Sequence, residues 1–175
     1  MEIRLDKIGD DPYPWRESRT ISAESLQRRQ LVGLSNVSWG GAVTPISSGF
    51  LFSAQLEYKQ ELSCPRCLKT SWTPVTADVE LLLVAASEEP LEGELGLREE
   101  DLSVIFVEGE VLDTEPILLE QLQLNVPMRQ LCRPDCAGLC PSCGADLNKA
   151  ACECDSEQGD PRWADLAALR DKLAE

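Results

Sequence analysis

Eight cysteines carry the chemistry of this sequence, and they fall in four pairs. Cys64 and Cys67 form CxxC, Cys132 and Cys136 form CxxxC, Cys140 and Cys143 form a second CxxC, and Cys152 and Cys154 form CxC. Each spacing lets a tight turn aim two sulfurs at one point, and Zn2+ takes four such sulfurs tetrahedrally at about 2.3 Å. Gly144, directly after the second CxxC, suits a turn that needs positive φ and backbone amides pointing back at the thiolates. The pattern therefore predicts two zinc ions, each held by four cysteines. Cys140, Cys143, Cys152 and Cys154 are close enough in sequence to close a small lobe alone, leaving Cys64 and Cys67 to meet Cys132 and Cys136. Spacing leaves one alternative open, a single local site from Cys132, Cys136, Cys140 and Cys143.

Three other chemistries compete for these residues. Cys136, Cys140 and Cys143 match CxxxCxxC, the iron–sulfur spacing of radical SAM enzymes, but 175 residues are too few for the barrel such a cluster needs. Cys64-Pro65-Arg66-Cys67 has the form of a dithiol redox motif, since CxxC lowers a thiol pKa. Redox CxxC motifs open a helix after a strand, whereas extended segments flank this one on both sides. A hydrolytic zinc site keeps an open position and a general base. All-cysteine ligation points instead to structural metal.

The chain has no histidine, which removes Ser-His-Asp triads, Cys-His nucleophile pairs and every His-ligated metal site. It also lacks a Walker loop and a GxGxxG, so no phosphate cradle is indicated. The balance of 16 Lys+Arg against 31 Asp+Glu gives a net charge of -15, which opposes broad binding to a phosphate backbone. The start, MEIRLDKIGD, is charged and has no apolar run before a small-residue cleavage site, so no signal peptide is expected. No stretch reaches the roughly 18–20 apolar residues of a membrane span. A reducing cytoplasm is the expected compartment, and there paired cysteines read as metal ligands rather than disulfides.

The elements that must position these cysteines follow from periodicity. Ile3 and Leu5 alternate with charged residues, as in a short strand. Asp10 to Trp15, with two prolines, reads as a loop, and Ser22 to Gln30 as a helical turn or connector. Val37 to Val43 reads as a strand with a turn at Pro45. From Phe50 to Leu62, Phe50, Phe52, Ala54, Leu56, Tyr58 and Leu62 alternate with polar residues, the signature of a strand with one buried face. Ser71 to Ala86 repeats it with Val75, Ala77, Val79, Leu81 and Leu83. The two predict an antiparallel hairpin whose tip carries Cys64 and Cys67. Val104 to Val107 reads as a further strand. Thr114 to Leu124 predicts a helix, with Thr114 as N-cap and Pro116 in the first turn. A second helix is expected near the C-terminus: Asp160 caps it, and Trp163, Leu166, Leu169 and Leu173 form its apolar stripe. With aromatics at 5%, the core is expected to lean on Leu, Val, Ile and Ala. The fold class expected is α+β: a mainly antiparallel β domain over 1–130 with two or three helices, and a Cys-rich zinc lobe with the C-terminal helix over 131–175.

The run Pro127-Met128 … Leu131-Cys132 … Cys136-Ala-Gly-Leu-Cys140-Pro-Ser-Cys143-Gly144 … Leu147-Asn148 … Cys152-Glu-Cys154 … Asp160-Pro161-Arg162-Trp163 resembles the YceD/DUF177 family. Cys64-Pro-Arg-Cys67-Leu68, after its alternating strand, fits the same pattern. That is the bacterial and chloroplast family tied to accumulation of the large-subunit (23S) ribosomal RNA. The resemblance covers about residues 50–170. It implies a non-enzymatic ribosome-biogenesis factor acting in synthesis, processing or stability of 23S rRNA. It also implies that Cys64 and Cys67 pair with Cys132 and Cys136, beside an independent second site, because some members lack the second cluster. It supplies no set of RNA-binding residues.

Zinc tetrathiolates are formally dianionic, so the metal-loaded chain stays acidic. The stretch Glu88, Glu89, Glu92, Glu94, Glu99, Glu100 and Asp101, opposed by Arg98 alone, is then the candidate arm for a basic large-subunit ribosomal protein or a pre-ribosomal particle. Arg129, Arg133, Lys149 and Arg162, near the metal lobe, are the candidates for direct rRNA contact. Two other classes fit the cysteines: a zinc-ribbon adaptor in transcription or another nucleoprotein complex, and a CxxC thiol redox protein.

Overall fold

The computed structural model describes residues 1–86 and 103–154. Its frame is one long antiparallel hairpin. Strands β1 (Glu2–Arg4), β2 (Tyr13–Arg19), β3 (Leu31–Leu34), β4 (Val37–Ile46), β5 (Gly49–Ser63) and β6 (Thr70–Ala85) come first. Strands β7 (Val104–Val107) and β8 (Val111–Asp113) and helix α1 (Thr114–Leu124) follow. β5 and β6 pair without interruption from Phe50↔Leu83 to Ser63↔Thr70. At about 3.3 Å per residue this ladder runs roughly 45 Å. The rest of the six-stranded sheet, in the order β2-β4-β5-β6-β7, is built on it, with β3 pairing the tip end of β5 beyond the reach of β4. β1 and β8 form a separate two-stranded sheet.

Period-two patterning sets which face is buried. Phe52, Ala54, Leu56, Tyr58, Gln60 and Leu62 of β5 face the core, while Gln55, Glu57 and Lys59 are exposed. Ile117, Leu118 and Leu122 of α1 join the same core. The core leans on Leu, Val, Ile and Ala, as composition implies, and its few aromatics meet at one point. Trp15 and Trp39 meet edge to face at 4.7 Å, and Phe52 stacks on Trp15 at 5.2 Å. Few aromatics suffice when they are concentrated at one point, because such pairs add about 0.5–1.5 kcal/mol beyond their buried area.

Three expectations about single elements are corrected, and β7 adds a pairing that the sequence reading left open. Asp10 to Trp15 is not all loop: β2 starts at Tyr13 and carries Pro14 opposite Ala42. An edge strand tolerates the missing N–H of proline. Pro45 lies inside β4, and the chain turns just after it at Ser47 and Ser48. β7 pairs β6 in parallel, the one parallel pair in the described sheet. The N-cap of α1 is Asp113, whose carboxylate accepts from the Glu115 N–H, while Thr114 is fully buried and donates to the Met1 carbonyl. Ser22 to Gln30 holds a short 3-10 turn over Ala23–Leu26. Among the described residues α1 is the one α-helix; the expected C-terminal helix lies outside them.

Close packing in the centre of the sheet rests on Gly41, where a Cβ would lie 2.0 Å from the Ser53 carbonyl oxygen. Gly41→Ala is expected to lower unfolding stability by about 3 kcal/mol or more, since strand backbones must part. Gly9→Ala, with nothing within 4 Å, serves as the neutral control in the same urea titrations.

Candidate metal centres

The hairpin tip is a tight knuckle. The Leu68 N–H donates to the Cys64 carbonyl at 2.9 Å, and the Cys64 N–H donates to the Lys69 carbonyl at 2.9 Å. The second CxxC repeats this: the Gly144 N–H reaches the Cys140 carbonyl at 2.9 Å, and the Cys140 N–H reaches the Ala145 carbonyl at 2.8 Å. The turn needs a left-handed residue after its second cysteine. Gly144 supplies it at φ 73, whereas Leu68 adopts φ 59 despite its Cβ. That conformation costs of order 1 kcal/mol for a branched residue, and the likeness of the two knuckles is hidden in the sequence by this Gly-to-Leu difference.

The sulfurs gather in two groups. Cys64, Cys67, Cys132 and Cys136 form one, and Cys140, Cys143, Cys152 and Cys154 the other; within each, all Sγ atoms lie within 4.8 Å of one another. In the first, Cys64 and Cys136 are 3.8 Å apart and Cys67 and Cys132 3.5 Å apart. A tetrahedron with arms of about 2.3 Å has edges of about 3.8 Å, so the donor set fits a four-coordinate, thiophilic ion such as Zn2+. The pairing left open by spacing is thus resolved in the geometry, and the single site of Cys132, Cys136, Cys140 and Cys143 does not form.

Electrostatics prepare the sulfurs for deprotonation. Burial pushes the Cys64 thiol up, but the backbone amides of Cys132, Cys67 and Arg66 outweigh it and bring the thiol down to about 6. The amides of Cys143 and Ser142 likewise hold Cys140 at about 6. Hydrogen bonding to Cys67 drives Cys132 up to about 12, and Cys143 does the same to Cys154. Cys64 and Cys140 are thus biased toward the thiolate, and a cation must displace the protons that Cys132 and Cys154 hold.

Asn148 is a further part that spacing did not reveal. Its Oδ1 accepts from the Ala137 N–H at 2.8 Å and from Arg133 at 2.9 Å, while its Nδ2 donates toward the Cys136 sulfur at 3.6 Å. Lys69, just past the first knuckle, pairs with Asp146 at 2.8 Å and holds that carboxyl well below the usual range. The Leu139 N–H donates to the Arg66 carbonyl, and Arg66 donates to the Cys136 carbonyl. The second group is therefore strapped to the first. The second group keeps its own four sulfurs, separate from those of the first.

The cations expected to touch RNA are split. Arg129 and Lys149 are exposed, and Arg133 is held by Asp135 and Asn148. Arg162 and the acidic residues from Glu88 to Asp101 lie outside the described residues. Cys64 and Cys67 are both buried at the tip, where a disulfide substrate has no ready access to either sulfur.

The family model described as large ribosomal RNA subunit accumulation protein YceD matches residues 52–170, a span that contains most of β5, all of β6 and α1, and all eight cysteines. The chain belongs to that family. An uncharacterized protein of Mycobacterium tuberculosis is 34% identical over 127 residues, covering 73% of this chain and 58% of that protein. The chloroplastic large ribosomal RNA subunit accumulation protein YCED homolog 1 of Arabidopsis thaliana is 26% identical over 136 residues, covering 64% of this chain and 41% of that protein. The chain thus spans about two-fifths to three-fifths of the length of these relatives. No solved structure matches it.

The two groups differ in what depends on them. Cys67→Ser should free the hairpin tip from residues 132–136 and lower global stability, whereas Cys152→Ser should mainly loosen residues 137–154. Hydrogen exchange of both variants reads this directly. Equal loss of protection in β5 and β6 would contradict the assignment.

Proposed function

We propose that this protein is a non-enzymatic ribosome-biogenesis factor that supports synthesis, processing or stability of the 23S rRNA of the large subunit. One observation carries the reading: the rRNA-accumulation family match takes in both cysteine groups and the hairpin that mounts the first. In this reading each group holds one Zn2+, bound by Cys64, Cys67, Cys132 and Cys136 and by Cys140, Cys143, Cys152 and Cys154. Bound zinc supplies folding free energy and no open coordination position for chemistry. The chain divides into a mainly β part over 1–130 and a zinc lobe with the C-terminal helix over 131–175, joined through the first group.

Cytoplasmic action suits this reading. No helix among the described residues is long and apolar enough to cross a membrane. Net charge argues for the class of partner. Ribosomal proteins are basic, and a chain of net charge -15 attracts them at long range. Glu88, Glu89, Glu92, Glu94, Glu99, Glu100 and Asp101 supply the densest such charge, as an arm that steers a basic large-subunit protein toward the pre-ribosomal particle.

Depleting the protein should lower mature 23S rRNA and large subunits in sucrose-gradient profiles, and normal profiles would overturn the reading. The purified chain should hold about two zinc ions by elemental analysis, released only as thiol reagents consume all eight cysteines. One zinc with four reactive thiols in the folded state would contradict the two-site arrangement. Changing the seven carboxylates to Gln or Asn should slow association with basic large-subunit proteins and flatten its salt dependence, with zinc content unchanged.

A further inference from the structure

The tip end of the hairpin has a surface of opposite character to the chain as a whole. Trp72 of β6 stands opposite Glu61 of β5, which stands opposite Gly33 of β3. The indole reaches across this row: a Cβ on Gly33 would lie 3.4 Å from the Trp72 ring and 3.2 Å from the Glu61 carboxylate. Trp72 is nevertheless 52% exposed. Lys59 shares this sheet face, one diagonal step from Trp72, within side-chain reach.

Cations reach the same end of the hairpin from distant parts of the sequence, Arg129 from the α1 side of the sheet, where the Gln60 side chain donates to the Asn125 carbonyl. The Ser63 N–H, about 7 Å along β5 from Glu61, donates to the Gln30 carbonyl at 2.8 Å, which brings Arg28 and Arg29 to the tip. The Gln30 side chain in turn donates to the Pro127 carbonyl, two residues before Arg129. Arg28, Arg29, Lys59 and Arg129 are all exposed. None has a carboxylate within ion-pair distance among the described residues. The cations that serve the sulfur groups are different ones: Lys69 is paired with Asp146 and Arg133 with Asp135.

We propose that this surface binds single-stranded RNA, with a base stacked on Trp72 and phosphates held by Arg28, Arg29, Lys59 and Arg129. The choice of RNA rests on the ribosomal reading above, and the surface itself rests on the geometry. An exposed indole offers a stacking platform that serves any base. Unpaired guanidinium groups at the same end of the hairpin supply the phosphate contacts along a strand that passes round that end. The net charge of -15 does not forbid this, because exposed charges more than about 8 Å away are largely screened at physiological salt. Gly33 leaves room beneath the indole, and Glu61 is the one carboxylate in that row.

The test is fluorescence anisotropy of the full zinc-loaded chain with a labelled 15-nucleotide oligouridine, against a duplex of equal length. Single-stranded binding is expected to exceed duplex binding. Trp72→Ala should weaken it roughly tenfold or more, with Trp72→Phe restoring much of the loss. Changing Arg28, Arg29 and Arg129 together to Gln should reduce the salt slope by about 2. Glu61→Gln should tighten RNA binding, whereas it would weaken a basic protein held at the same place. Unchanged melting curves confirm that the variants fold. No oligouridine binding at 50 mM salt, or affinities indifferent to Trp72 and the arginines, overturns the proposal. So does tighter capture of a basic peptide that depends on Trp72 and is lost in Glu61→Gln. A chain that restores 23S rRNA in depleted cells without binding RNA overturns the surface and leaves the ribosomal reading standing. RNA binding as expected, with 23S rRNA indifferent to depletion, does the reverse.

Discussion

Four sulfurs from segments about seventy residues apart must meet at the end of a hairpin, and the rest of the structure serves that meeting. Closing a chain loop of that size costs about 4 kcal/mol of entropy before any local ordering. The four thiols recover little of this by themselves, and a buried thiolate is penalised by desolvation. A structural zinc ion contributes about 10–16 kcal/mol in small cysteine sites, so metal binding outweighs closure. Under the zinc reading, the segment from Cys132 to Cys154 has its fold from metal rather than from a core, in keeping with its few buried apolar side chains. The uninterrupted β5–β6 ladder makes the closure affordable in geometry, since a knuckle on a stiff strand pair arrives already aimed.

Two dense negative sites close together need compensation, and the local chemistry supplies it without histidine. Backbone amides at each knuckle favour the thiolate form of Cys64 and Cys140. Asn148 adds a donor at Cys136, and the Lys69–Asp146 pair ties the second knuckle to the first. The same interactions that stabilise negative sulfur also lock the lobes together. A variant that disturbs one group is therefore expected to be felt in the other, more weakly, through Arg66 and Lys69.

What was legible in the sequence was what depends on local period. β5 and β6 alternate so regularly that their buried faces, and the placing of Cys64 and Cys67 between them, follow from sequence alone. β2 was missed because Pro12 and Pro14 at its start argue against a strand, and only its edge position makes Pro14 tolerable. The α1 cap shifted by one residue because Asp113 and Thr114 are both good caps. Which residue turns inward depends on the core partner of Thr114, and that partner is a tertiary fact. The same holds for the cysteine groups, where spacing allowed two pairings and the hairpin selects one. Asn148 stands in the family-resembling run, but its role at Cys136 is not legible there, since its partners come from the loop folded over it.

Charge shows the same limit more sharply. Counted along the chain, acidic residues dominate, and the cations near the cysteines in sequence were the natural candidates for RNA. In the folded chain one of those, Arg133, is already engaged, while Arg28 and Arg29 are brought to the hairpin tip through the bonding of Gln30 to Ser63 and Pro127. Their effect is local because screening is local: at physiological salt a bound polymer responds to groups within about one Debye length, not to the total. A protein can therefore be acidic enough to attract basic partners at a distance and still present one cationic, aromatic end. On a particle made of both RNA and basic proteins, that division would let the two kinds of contact be made by different faces of one small chain.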